Sequence, residues 1–139
     1  MRNYGLSVFF LAILAIAITQ ACGSSPRILQ SVSLSPPTAD AQGSPVQFTA
    51  TGYFNQQPSP LKLTTANWGA CYQNQATAAV SVSASGVAQC AAGAVGTYTV
   101  WAWAERGGDS CGPAGTIPVN PCGGAGECQV TGTAQLTCP

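Results

Sequence analysis

From Ile28 onward, apolar and polar residues alternate with a period of two, the signature of half-buried strands. In ILQSVSL, Ile28, Val32 and Leu34 share one face, with Ser31 and Ser33 opposite. Pro36 and Pro37 cannot donate ladder hydrogen bonds, so they end or kink that strand. After the Gly43-Ser44-Pro45 turn, Val46, Phe48 and Ala50 alternate with Gln47, Thr49 and Thr51. The loop NQQPSP precedes LKLTTANWGACY, where Trp68, Ala70 and Tyr72 fall in one register. Val80 and Val82 share a face, Ser85-Gly86 makes a tight turn, and VAQC returns. In GTYTVWAWA, Tyr98, Val100 and Ala102 point one way and Thr99, Trp101 and Trp103 the other. QVTGTAQLTC closes the pattern, with Val130, Ala134 and Leu136 in register. No helical stripe follows the leader, and Gly and Pro recur too often for a long helix. Seven or so short strands separated by turns predict an all-β chain folded as an antiparallel β-sandwich.

The first residues follow a different rule. Arg2 precedes an apolar run from Leu6 to Ile18, then Thr19-Gln20-Ala21. A positive start, a short apolar stretch and a small residue at the cut are the layout of an export signal. The run is too short for the roughly 20 residues of a membrane-spanning helix. Residues 1–21 are therefore read as a signal peptide. Cys22-Gly23-Ser24-Ser25 resembles a bacterial lipoprotein signal, in which the new N-terminal cysteine receives lipid, although Thr19 stands where Leu, Val or Ile is usual. The other reading is ordinary cleavage after Ala21 with a free Cys22. Residues 22–30 then read as the anchor cysteine and a tether, and residues 31–139 as the folded domain. Gly23 lacks the aspartate that retains such proteins at an inner membrane, which favours an outer membrane where two membranes exist.

Composition narrows the function. Residues 22–139 hold Arg27, Lys62 and Arg106 against Asp40, Glu105, Asp109 and Glu127, and the chain has no histidine. No basic patch exists for a phosphate backbone, which argues against nucleic acid. Seven cysteines in an exported chain predict disulfides. Setting Cys22 aside leaves Cys71, Cys90, Cys111, Cys122, Cys128 and Cys138, an even set that can pair fully. With no Cys-x-x-Cys and no histidine, zinc is a poor alternative. Cys128–Cys138 is disfavoured, because an extended segment between them spans about 30 Å and a bridge needs Cα atoms within about 7 Å.

The succession SVSLSPPTADAQGSPVQFTATGYF, TTANWGACY and AAVSVSASGVAQCAAGAVGTYTVWAWA resembles the bacterial immunoglobulin-like group 2 domain, over roughly residues 31–104 and 129–138. The resemblance implies an immunoglobulin-like sandwich serving as a spacer or binding module, with no catalytic residues to transfer. In such sandwiches the strands carrying Cys71 and Cys90 are near neighbours, so the resemblance also implies a Cys71–Cys90 bridge, with Cys111, Cys122, Cys128 and Cys138 pairing among themselves. The cysteine-rich loop at about 105–128 is longer than that family needs, and six cysteines are unusual for it.

The remaining residues are weighed singly. Trp68 and Tyr98 read as core, Tyr98 with its hydroxyl bonded to backbone at a strand corner. Trp101 and Trp103, about 7 Å apart on one face, would form a stacking platform for a sugar ring if exposed. The favoured alternative has the cysteine-rich tail folding over them. Glu105 and Asp109 flank Arg106 in a glycine-rich loop and read as solvated charges rather than an acid–base pair. Without histidine, a Ser-His-Asp nucleophile is excluded, and Asp109 and Glu127 supply too few oxygens for calcium. The expected protein is a non-catalytic envelope lipoprotein for display or adhesion, without cofactor. Its expected partners are the membrane through an N-terminal lipid, and an envelope glycan or protein. The different-class alternative is a carbohydrate-binding module.

Overall fold

The structure is a computed structural model that describes residues 25–108, 111, 122–124, 126 and 128–139. Among the described residues there is no helix. The strands in chain order are β1 (Leu29–Ser35), β2 (Thr38–Asp40), β3 (Val46–Gln47), β4 (Thr49–Phe54), β5 (Leu61–Lys62) and β6 (Asn67–Tyr72). They continue as β7 (Gln75–Ala76), β8 (Val80–Val82), β9 (Val87–Cys90), β10 (Gly96–Glu105) and β11 (Gln129–Cys138).

They form the expected β-sandwich. One layer is a five-stranded sheet in the order β2-β11-β10-β6-β7. The other consists of two three-stranded sheets, β1-β4-β5 and β3-β9-β8. Pairing is antiparallel except for β2, which runs parallel to β11. Two interruptions produce this layout. At Pro36-Pro37 the chain leaves β4's side and joins β11, so its first extended segment serves both layers. At Phe48 it passes from β9's side to β1's, and the Phe48 amide donates to Gly86 O at 2.8 Å instead of to a ladder.

Alternation decides what is buried. Phe48, Leu29, Leu136 and Val100 are the largest fully buried side chains, each contributing about 1.5–3 kcal/mol relative to exposure. Tyr98, Ala102, Val130 and Ala134 complete the inner face of β10 and β11. A side chain at Gly132 would come within 2.6 Å of Val32 O, so glycine there lets β1 lie close across β11. Gly86, at φ +84°, makes the turn between β8 and β9, and its missing side chain makes room for the Trp68 ring. Trp68 is half-buried against the core. The Tyr98 hydroxyl donates to Val95 O at 3.3 Å, as expected of a strand-corner tyrosine.

One inward set differs from expectation. Ile28 was to share the face of Val32 and Leu34, but Leu29 takes that place, 1% exposed. The ladder pairs Leu29 with Phe54 and Ser31 with Tyr53, leaving Gln30 as an extra residue. Such a bulge reverses the facing of everything before it.

Candidate functional site

Two regions gather the residues with chemical or binding potential. The first is the end of the sandwich where the chain joins the fold. Asn55, just past β4, holds the incoming segment through both ends of its amide. Its Oδ1 accepts from the Ile28 amide at 2.7 Å and its Nδ2 donates to Pro26 O at 3.2 Å. Its own backbone amide donates to Ile28 O at 3.0 Å. Gln56 Nε2 donates to Ser25 O at 2.6 Å, and Arg27 donates to Pro58 O. The Arg27 guanidinium lies 3.8 Å from the centroid of the Phe54 ring, a cation–π contact of about 0.5–2 kcal/mol. The Leu29 amide reaches Arg106 O at 2.8 Å, and the Arg106 amide reaches Cys128 O at 2.9 Å. Residues 25–27, read from sequence as tether, are thus laid against the fold. Cys22 lies outside the described residues.

The second region is the outer face of the five-stranded sheet. Trp101 and Trp103 both point there, as the alternation predicts, and both are half-buried. In the ladder Trp101 stands opposite Gly69 of β6 and Thr133 of β11. Its six-membered ring lies across Gly69, where a side chain would come within 2.2 Å. Trp101 Nε1 and Thr131 Oγ1 are buried and have no hydrogen-bond partner among the described residues. Cys71 belongs to this face, opposite Thr99, and is bonded to Cys122. That bond ties one point of the cysteine-rich loop to the tryptophan face.

All six downstream cysteines are paired, in another pattern than Cys71–Cys90. The bonds are Cys71–Cys122, Cys90–Cys138 and Cys111–Cys128, with Cα separations of 5.7, 6.0 and 5.4 Å. The reason lies in which way each residue faces. Cys71 shares its parity with the outward Gly69, whereas Cys90 follows the inward Ala88 and packs against the core. Cys138 continues the inward series of Ala134 and Leu136, so it meets Cys90 from the opposite layer. Cys111–Cys128 closes the connection between β10 and β11 near Arg106. Cys128 and Cys138, at opposite ends of β11, are not joined to each other. Three such bonds place the protein in an oxidising, extracytoplasmic environment.

Of the carboxylates, Glu105 is exposed at the end of β10, while Asp109 and Glu127 lie outside the described residues. Among the described residues no cluster of side chains has the make-up of a metal site. The Asn55 clamp escaped the sequence reading. Its only trace is an Asn-Gln-Gln loop between two strands, and a loop of that kind ordinarily reads as solvated. Compared with known proteins, the chain matches no family model and no curated protein.

Proposed function

We propose that this chain is an exported, lipid-anchored, non-catalytic module of the bacterial cell envelope, with an immunoglobulin-like fold that serves display or adhesion. The observation that carries the reading is the cysteine pairing. Six of the seven cysteines are bonded to one another, so Cys22 has no partner left within the chain. An odd cysteine directly after an export signal, preceded by Ala21, is the residue such a signal acylates. The immunoglobulin-like assignment draws support from connectivity. A first segment that kinks at Pro36-Pro37, passes from one layer to the other and then turns at Gly43 agrees with the strand, Pro-rich kink and Gly turn of the group 2 domains. The half-buried Trp68 on β6 and the corner hydroxyl of Tyr98 agree with it as well. An outer-membrane location rests on Gly23 alone.

The carbohydrate-binding alternative has less support. Both indoles face outward, but neither is among the exposed large apolar side chains, and Trp101 is spread over Gly69 rather than offered to solvent.

Intact mass of the mature protein tests the proposal. It should begin at Cys22, carry an added diacyl or triacyl mass, and contain no thiol that alkylates without reduction. Cys22→Ala should release the protein to the soluble fraction, and its retention in the membrane would refute the anchor.

A further inference from the structure

We infer that the β6–β7 hairpin is a binding site for a neutral polysaccharide, with one sugar ring stacked on Tyr72 and its hydroxyls met by the amides of Gln73, Asn74 and Gln75. The inference rests on the adhesion reading above and supplies its ligand. The hairpin stands apart from both regions already described. Tyr72 packs on Tyr98, near the start of β10. Roughly eight strand steps further along, the Arg106 carbonyl accepts from the Leu29 amide. The hairpin is thus about 27 Å from the end that holds Ser25, and an anchored domain presents it away from the membrane.

The turn itself is strained. A two-residue loop joins β6 to β7, and Tyr72 pairs directly with Gln75 across it. Both loop residues have positive φ, 49° at Gln73 and 64° at Asn74, as a tight primed hairpin turn requires. Asparagine tolerates that conformation, but glutamine seldom adopts it, and glycine would take the place without strain. Gln42, the other glutamine with positive φ, has its backbone amide bonded to Asp40 Oδ1 at 3.2 Å. No side chain among the described residues holds Gln73 in that way. Strain kept where glycine would relieve it points to a residue retained for its side chain.

The side chains at the turn suit a sugar. Tyr72 is in step with Trp68 and Ala70 on the core side of β6, yet it is 43% exposed. The Tyr98 ring backs it, with centroids 5.2 Å apart and planes 40° inclined. Gln75 stands directly across the ladder, with Cβ atoms about 5 Å apart, a spacing comparable to one pyranose ring. Gln73, Asn74 and Gln75 are exposed, and their side-chain amides bond to no described residue. Each amide offers two donors and an acceptor to neighbouring hydroxyls, and the C–H groups of a sugar favour the negative face of an aromatic ring. Val95, 66% exposed, adds apolar surface beside Tyr98, whose hydroxyl donates to its carbonyl. Cys71 points to the other face of β6, so its bond to Cys122 lies away from the Tyr72 ring.

Charge decides the class of ligand. No residue from 63 to 104 is charged. Asp40, exposed at the same end, belongs to β2 at the opposite edge of the sheet. Gly108 and Cys128, the chain neighbours of Asp109 and Glu127, belong to the Arg106 end. An acidic polymer or a charged protein surface finds no counter-ion at this hairpin, and a neutral sugar chain needs none.

The test titrates the mature protein, purified from its host envelope in detergent micelles, with linear hexaoses of glucose, mannose and galactose and with hexagalacturonate. At least one neutral hexaose should bind, with an affinity that salt does not change, and hexagalacturonate should not. Tyr72→Ala should weaken that binding about tenfold. Gln73→Gly relieves the backbone, so it should raise the urea midpoint while weakening binding about fivefold. A turn that is only structural would not give that combination. Should Tyr72→Ala fail to fold, Gln73→Gly still decides. Failure of every neutral hexaose to bind, preference for hexagalacturonate, or unchanged affinity in either variant overturns the inference. So does protection of the indoles from acrylamide by a bound hexaose, which would put the sugar on Trp101 and Trp103. Intact mass keeps the anchor separate. An unacylated Cys22 would remove the anchor and leave this site standing, whereas hexaoses that do not bind would remove the site and leave the anchor.

Discussion

Gly69 determines how Trp101 lies. On β6 it stands opposite Trp101, and an added Cβ would come within 2.2 Å of the indole carbon Cζ2. Gly69→Val should lift the ring from the sheet, cost about 1–3 kcal/mol, and make the indole emission more sensitive to a soluble quencher. Denaturant melts and acrylamide titration read both effects, and a variant unchanged in each would show that the ring is not seated there. At this scale the alternation in GTYTVWAWA was sufficient in sequence. Tyr98, Val100 and Ala102 are buried and the two tryptophans face outward. The same rule misplaced Ile28, because a bulge at Gln30 inverts the facing and leaves no mark in the hydrophobic pattern. The cysteines were legible by the same alternation. Cys71 is out of step with the inward Ala70, while Cys90 and Cys138 are in step with Ala88 and Leu136. The Cys71–Cys90 expectation took their strands for near neighbours, but β6 and β9 lie in opposite layers and Cys71 faces outward, whereas a bridge needs both Cβ atoms aimed at each other.

Among the elements, the three bonds do different work. Cys90–Cys138 spans 48 residues and crosses between the layers, at the core edge. Cys111–Cys128 spans 17 and closes only the connection after β10. By loop entropy alone, removing the first should cost about 4 kcal/mol and the second about 3. The native structure widens that gap, because replacing Cys138 also disturbs a residue 2% exposed. Paired Cys→Ser variants compared by urea denaturation should keep this order, and a reversed order would mean that the cysteine-rich connection stabilises the sandwich more than the cross-layer bond does. The change of sheet at Pro36-Pro37 was half legible. Two prolines forecast a kink, but the new partner, β11, lies about a hundred residues further on. No local pattern names a partner that distant, since the pairing is set by which edge of the opposite layer is open.

For the molecule as a whole, the strand directions put Ser25 and Pro139 at opposite ends, one beside the Asn55 loop and the other past Cys138, which faces Gly96. Pulling the two termini apart therefore directs force along the strand axes. The hydrogen bonds of β1 with β4, and of β2 with β11, run across that direction. Each ladder bears tension in shear, with its bonds sharing the strain at once, whereas pulling Leu29 from Phe54, a pair no disulfide ties together, would peel β1 off β4 one bond at a time. Optical-tweezer extension from the termini should show a markedly higher rupture force than extension from that pair, and equal forces would mean that the split first segment confers no mechanical resistance. A chain held at its start and tugged at its far end is built along the axis on which it yields last.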